Sequence, residues 1–595
     1  MQSTEKKTEI RLRGIGVSPG ISHAPIRFAG TDSFEEPERR ALDGAQVDFE
    51  RERLQRAVTR TREQIREMQR EIDGTLGAEH AGIFDAHLLV LEDSAVLEEV
   101  IRTLEKDRVN VEWAYWGVIN RYLESLRKIP DPYLRERAID IEDVARRVLK
   151  NLRHPDGDAA PAGFAAPGAS GPAILAAHDL TPSDTVGLDR ERVLGFATEA
   201  GSPTSHTAII ARSLNIPAVV ALHGLHERMH PGDMALLDGY HGLVIVNPSP
   251  ETLEHYQQLL LREGELLREL ELLRDRETVT ADGRRVVLSA NIEFVEELPQ
   301  VRQQGAEGVG LYRTEFFYLN EAELRAEDRQ ADNYTAVAKA VRPHGVIIRT
   351  LDIGGDKLWP EYFEEREPNP FLGWRGIRVS IARPEIFKTQ LRAILRASAN
   401  GKVGVMFPFL SCIEELRAAK RLLDEVKSEL ESDGLPFDPN LEVGAMIEIP
   451  SAALMAHTYA KEVDFFSIGT NDLIQYTTAV DRVNERVADL YQPAHPAVIR
   501  LIRDVVVTAH DHGIWAGVCG EMGGDVMLSP LLIGAGVDEL SVGAAQILRI
   551  RRAISRLDSA ECRDLLDAAL QCGETAEILG LCREIAEAKY PELID

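Results

Sequence analysis

A rhythm in the second half of the chain constrains its fold most. From residue 284 onward, short apolar β-type runs alternate with helical patterns. Eight such runs can be counted: 286–290, 308–313, 346–352, 403–409, 441–448, 464–469, 514–519 and 538–542. Eight strands with intervening helices over roughly 300 residues predict a (β/α)8 TIM-like barrel. In that fold, functional side chains stand at the C-terminal ends of the strands, so the residue ending each run is the one to inspect.

The second run ends in Arg313, within Gly308-Val309-Gly310-Leu311-Tyr312-Arg313-Thr314-Glu315-Phe316. The third carries Arg349 and leads into Asp352-Ile353-Gly354-Gly355-Asp356-Lys357. The fifth ends in Glu448. The sixth leads into Gly469-Thr470-Asn471-Asp472, with Arg482 close behind, and the seventh ends in Cys519-Gly520-Glu521. Any single charge at a strand end is ordinarily there for solvation. Five ends with complementary chemistry are harder to explain that way. Arginine forks bind phosphate and carboxylate bidentately. Glu448 and Asp472 are hard oxygen ligands suited to Mg2+, with water and substrate in the other positions. Cys519 reads either as a general acid/base at a carbon centre or as a small core residue.

Charge sharpens the argument. The 595 residues carry 68 Lys and Arg against 97 Asp and Glu, a net −29. That excludes a general nucleic-acid binder, which needs a basic face. It also means that an anionic substrate must be captured locally by arginines or metal. At an effective dielectric near 20, one opposite pair 4 Å apart is worth roughly 4 kcal/mol, enough to override the average field. The length implies three or four domains. Five cysteines without metal-site spacing imply a reducing compartment. Met1 to Arg13 is polar, unlike a signal peptide, and no apolar run reaches membrane-spanning length. A cytoplasmic protein is expected.

The first half reads as two interleaved parts. Residues 10–30, with Gly14, Gly16 and Gly20, read as a short strand with glycine turns. From about 38 to 152 the pattern is helical. Val47, Leu54, Val58, Ile65, Met68 and Ile72 form one stripe, and further helices lie near 79–106, 110–127 and 134–152. Four helices with short joints imply antiparallel hairpins, either a docking module or a plain structural bundle. Residues 155–172 are an Ala/Pro/Gly-rich linker. Strand-like runs follow at 173–177, 193–197, 218–220, 234–238 and 243–246, making a compact α/β domain that the strand near 14–30 completes. Between them, Gly201-Ser202-Pro203-Thr204-Ser205-His206 places one histidine at a predicted helix start. There, free N–H groups and the helix dipole suit a phosphate, and Arg212 lies more than a turn further on. The imidazole is either a nucleophile toward phosphorus or a helix cap. Residues 251–277 read as a connecting helix that could act as a swivel. The domain boundaries expected are 1–37, 38–154, 155–250, 251–280 and 281–595.

Taken together, these motifs resemble those of the Enzyme I family of bacterial phosphoenolpyruvate:sugar phosphotransferase systems, from about Gly14 nearly to the C-terminus. The resemblance rests on T-S-H-T-A-I-I-A-R around His206, G-L-Y-R-T-E-F at Arg313, R-T-L-D-I-G-G-D-K at Arg349 and N-P-F-L-G-W-R-G-I-R at Arg375. It rests also on F-S-I-G-T-N-D-L-I-Q-Y at Asn471 and Asp472, A-V-D-R at Arg482 and G-V-C-G-E at Cys519. It implies a phosphohistidine swivelling domain with an inserted helical subdomain, joined to a phosphoenolpyruvate-binding barrel. Arg313, Arg349, Asn471, Asp472 and Arg482 would hold the substrate, with help from Arg375, while Glu448 and Asp472 would ligate Mg2+. The phosphoryl group would pass to Nε2 of His206, and Cys519 would protonate the enolate to pyruvate. Phospho-His206 would donate to a histidine of the carrier HPr, docked on the helical insert. The family works as a homodimer through its barrels, with no nucleic acid and no membrane insertion. The absence of a sensory domain before Gly14 implies the sugar-uptake branch. Two alternatives stand beside this reading. One is a pyruvate-phosphate dikinase or phosphoenolpyruvate synthase relative, for which residues 1–152 leave no room for a nucleotide-binding domain. The other is a non-catalytic phosphoenolpyruvate sensor.

Overall fold

The computed structural model describes residues 8–28, 34, 36–76, 83–127, 132–154, 171–178, 180, 192–201, 208, 211–212, 216–315, 325–354, 369–482, 484 and 486–594. The chain forms two compact units, Met1–Leu261 and Arg262–Asp595.

In the first unit, among the described residues, eight strands make one sheet. They are β1 (Ile10–Arg13), β2 (Ile15–Ser18), β3 (Ile21–Phe28), β4 (Ala173–Ala177), β5 (Val193–Thr198), β6 (Ala218–Val220), β7 (Met234–Asp238) and β8 (Leu243–Val246). Their order is β1-β8-β7-β3-β4-β5-β6-β2. The central run from β3 to β6 is parallel. It is apolar on both faces, as a sheet covered on both sides must be. Ile174, Ala176, Ala197 and Val219 join one core, while Leu175, Ala177, Phe196 and Val220 join another. The single N-terminal strand expected is three strands. Gly14 and Gly16 are needed for close backbone approach rather than for turns. A Cβ at Gly14 would stand 2.3 Å from the Val220 carbonyl oxygen, and one at Gly16 2.2 Å from that of Gly239.

Helices interrupt this sheet between β3 and β4: Val47–Leu76, Ile83–Leu91, Ser94–Asp107, Val111–Arg127 and Pro132–Arg153. They bury their own core, including Leu54, Val58, Ile65, Val100, Leu104, Val118, Leu123 and Val148. Among the described residues there are five helices rather than four, because the segment near 79–106 breaks at Asp93. That residue is extended, and its carboxylate accepts from the Ala95 and Val96 amides, starting a new helix.

A further helix spans Pro250–Glu271. At its start, Glu9 accepts from the Ser249 amide at 2.8 Å and the Thr252 hydroxyl at 2.7 Å. Tyr256 donates to buried Asp238 at 3.1 Å. At its end, Leu266 and Leu270 join the core of the second unit.

The second unit is a closed barrel of eight parallel strands: β9 (Val287–Ile292), β10 (Val309–Tyr312), β11 (Gly345–Arg349), β12 (Lys402–Phe407), β13 (Glu442–Ile447), β14 (Phe465–Ile468), β15 (Trp515–Val518) and β16 (Glu539–Gly543). β16 pairs with β9 to close the ring. All eight apolar runs are strands. The third and fourth runs overshoot their strands because Leu351 and Phe409 stay buried beyond the ladder. Inside, Leu311, Met406, Met446, Phe465 and Cys519 form a small apolar cluster. Phe465 stacks on Trp515 at 4.5 Å. Gly444 makes room for it, since a Cβ there would meet the Phe465 ring at 2.2 Å. Arg551, on the helix Ile547–Arg556, is 2% exposed and donates to Thr278 and to the carbonyls of Leu273, Arg274 and Gly305.

Candidate active site

A cavity of about 240 Å³ opens at the C-terminal ends of the barrel strands. Its lining brings together Arg313, Arg349, Glu448, Asn471, Asp472, Arg482 and Cys519. The barrel explains the convergence. Arg313 follows β10, Arg349 ends β11, Glu448 follows β13 and Cys519 follows β15. Asn471 and Asp472 sit in the first turn of the helix Thr470–Thr478, right after β14. Residues far apart in sequence therefore share one rim.

The arginines are engaged by carboxylates of the cavity itself. Arg313 Nη1 donates to Glu293 at 2.6 Å. Arg349 Nη2 donates to Glu315 at 2.5 Å, and its Nη1 lies 3.2 Å from Asp352. Burial works against the Arg349 charge, but Glu315, Asp352 and Glu448 outweigh it and hold the guanidinium above its ordinary pKa. Asn471 exchanges two hydrogen bonds with Glu521, at 3.0 and 2.9 Å. Arg482 is the most open of the group, 3.8 Å from Glu521.

Glu448 is 1% exposed and accepts the Phe409 amide at 2.6 Å. Burial, then the negative charges of Asp352 and Asp472, push its carboxyl up to about 8, with Arg349 and Arg375 pulling the other way. Among the described lining residues, four guanidinium groups meet six carboxylates. Such crowding of like charge favours a cation. Among the described residues, no three His, Cys, Asp or Glu side chains form a metal cage. A carboxylate pair with open positions fits Mg2+, which keeps water and substrate oxygens in its shell. The Cys519 thiol is buried, and burial pushes it up to about 11, against the pull of Ser467 and Arg349. At neutral pH it keeps its proton.

Arg375, expected from its motif alone, and Glu293, not expected, complete this cluster. Arg375 lines the cavity, buried, with Nη2 donating to Asp352 at 3.1 Å and Nη1 to the Tyr476 hydroxyl at 3.0 Å. Its Nη1 also lies 3.6 Å from Asp472. It follows no strand, so the rule of strand ends does not find it. Glu293 does follow the first strand, β9, and the same rule applied there finds it. His206, with Thr204 and Ser205, lies outside the described residues. Of its surroundings, Ala208 and Ala211 are buried and helical, and Arg212 donates to the Val17 carbonyl at 3.5 Å.

Comparison with known proteins gives the class first. Three family models match: the N-terminal domain of PEP-utilising enzymes at residues 13–137, their mobile domain at 169–242 and their PEP-binding domain at 268–559. The class is that of the phosphoenolpyruvate-utilising enzymes. Among curated proteins, the phosphoenolpyruvate-protein phosphotransferase of Staphylococcus carnosus is 42% identical over 96% of this chain and 99% of its own length. That of Geobacillus stearothermophilus is 42% identical over 97% and 98%. A solution structure of Enzyme I (nEIt) protein is 34% identical, covering 42% of this chain and 97% of its own, with a TM-score of 0.33. The chain belongs to the phosphoenolpyruvate-protein phosphotransferase family. No helix among the described residues is long and apolar enough to cross a membrane.

Proposed function

We propose that this chain transfers the phosphoryl group of phosphoenolpyruvate to His206 and then to a histidine of the phosphocarrier HPr, releasing pyruvate, as the first step of sugar uptake by a phosphotransferase system. The observation that carries the reading is the convergence of four arginines, an amide, two candidate metal ligands and a protonated thiol on one barrel mouth.

In this reading Arg313 and Arg349 exchange Glu293 and Glu315 for substrate oxygens, and Asn471 and Arg482 leave Glu521 to do the same. Glu448 and Asp472 would hold Mg2+, which neutralises charge on phosphoryl and carboxylate oxygens when bound. The bond from phosphorus to the enol oxygen breaks as one to His206 Nε2 forms. The enolate then takes the Cys519 proton at its methylene carbon and becomes pyruvate, and the thiolate recovers a proton from solvent. Positioning and charge neutralisation carry most of the catalysis. The remaining assignments belong to the same proposal. They are an HPr-docking helical subdomain at 38–154, a phosphohistidine domain built from 1–37 and 155–250, a linker at 251–280, a homodimer through the barrel at 281–595, and a cytoplasmic location.

The test is incubation with phosphoenolpyruvate and Mg2+, without nucleotide, followed by intact-mass and peptide mapping under non-acidic conditions. One phosphoryl group on His206, removed by pyruvate and absent in His206→Ala, is expected. Binding without label would mean a sensor, and a requirement for ATP or AMP a dikinase relative.

A further inference from the structure

Phe409 is the residue at this rim whose conformation has no local reason. It stands two residues beyond β12, is 2% exposed, and does not line the cavity. Its φ is +55°, in the left-handed region that a bulky side chain avoids. A residue persists there only when its surroundings hold it, and such residues cluster at functional sites.

Two contacts follow from that twist. The Phe409 amide donates to Glu448 Oε1 at 2.6 Å. The ring carries two guanidinium groups, with Arg375 Cζ at 4.6 Å from its centroid and Arg378 Cζ at 4.9 Å, and Tyr476 packs edge-on at 5.9 Å. Arg378 is spent on structure, donating to the Leu372 and Gly373 carbonyls and to Ser411. Arg375 instead faces the cavity between Asp352 and Asp472. The neighbouring chain is shaped for this ring. Gly376 has φ +56°, and a Cβ there would lie 2.7 Å from Phe409 Cβ and 2.9 Å from Asp352 Oδ1.

We propose that Phe409 is a positioning residue for both halves of the site: its left-handed backbone aims an amide at Glu448, while its ring holds the Arg375 guanidinium at the cavity wall. One residue thereby ties the carboxylate that would meet the metal to an arginine that would meet the phosphoryl group. The inference rests on reading the mouth as a phosphoenolpyruvate and Mg2+ site. Neither contact is visible from residue type, since an apolar side chain and a backbone amide supply them.

The two contacts can be separated. Glycine adopts φ +55° freely, so Phe409→Gly keeps the amide on Glu448 and loses the ring. Alanine keeps the backbone strain and loses what holds it, so in Phe409→Ala the amide also departs. In the full-length chain, Mn2+ binding is read by electron paramagnetic resonance without substrate, and KM and kcat for phosphoenolpyruvate are read with Mg2+. Phe409→Gly should raise KM about tenfold, the scale of a desolvated cation–π contact, with Mn2+ affinity within about twofold of wild type. Phe409→Ala should show the same KM defect and also weaken Mn2+ binding about tenfold, the scale of a hydrogen bond to a charged group. Phe409→Tyr should restore both. Variants that match wild type in both readouts overturn the proposal. So does a Phe409→Gly variant that loses Mn2+ affinity as strongly as it raises KM, since that marks a merely structural role. A wild-type chain that binds Mn2+ but neither binds nor consumes phosphoenolpyruvate would sink the functional reading itself.

Discussion

Replacing Glu448 by glutamine should stabilise the metal-free barrel while ending its function. The carboxyl is buried, and burial with the charges of Asp352 and Asp472 raises it from 4.5 to about 8. Such a group costs nothing below about pH 4.5, where it is protonated folded and unfolded alike. The cost grows as pH rises, because the unfolded carboxyl ionises while the folded one does not, and it levels off above about 8. At pH 7 it amounts to about 3 kcal/mol. Glu448→Gln removes that cost and still offers an oxygen to the Phe409 amide. The assay is urea unfolding in EDTA at pH 5 and pH 7, read by circular dichroism at the barrel transition. The variant should gain about 3 kcal/mol at pH 7 and well under half of that at pH 5. With Mg2+ and phosphoenolpyruvate added, only the wild type should gain further stability. A variant less stable than wild type at pH 7, or an equal gain at both pH values, would refute the reasoning.

Two other perturbations probe the supports of this site. Arg551→Met strips donors from Thr278 and the Leu273, Arg274 and Gly305 carbonyls. It should cost the barrel about 3–5 kcal/mol in urea unfolding, with little relief from Arg551→Lys, whose single ammonium cannot span these acceptors. Glu9 is held down to about 2 by the Ser249 amide and the Thr252 hydroxyl. Its contribution is full above about pH 4.5 and is lost as pH falls toward 2. Amide protection at residues 250–256, taken relative to the intrinsic exchange rate at each pH, should therefore fall over that window in the wild type and show no such step in Glu9→Gln.

The barrel was legible because parallel strands buried on both faces read as plain apolar runs, and the β4–β8 segments of the sheet were legible because they too are buried on both faces, although β7 and β8 pair antiparallel. The three N-terminal strands were not separable, because Gly14 and Gly16 look like turn residues until the backbones they touch, at Val220 and Gly239, are known. Asp93 breaks a helix with one carboxylate, a signal readable afterwards and easily passed over inside a helical pattern. At the mouth, the rule of strand ends found the charged residues that follow strands. It could not reach Arg375, which precedes the helix Ile377–Ala382 rather than following a strand, or Phe409, whose role lies in a dihedral angle and a ring face. The carboxylates paired to the arginines, Glu293, Glu315 and Glu521, were present in the quoted motifs or next to a strand end. Their partners are fixed only by the closed ring.

The position of β3 bears on how the chain is made. It lies between β4 and β7 in the sheet, yet the helical insert separates it from both in sequence. On a ribosome adding roughly 5–20 residues per second, β7 emerges about 10–40 s after β3. The insert, which has its own core, can fold in that interval, while the N-terminal strands wait with both edges unpaired. Nascent chains of this protein should therefore pass through a stage in which a finished helical domain trails an unfinished sheet, and that stage is where a chaperone would find its substrate.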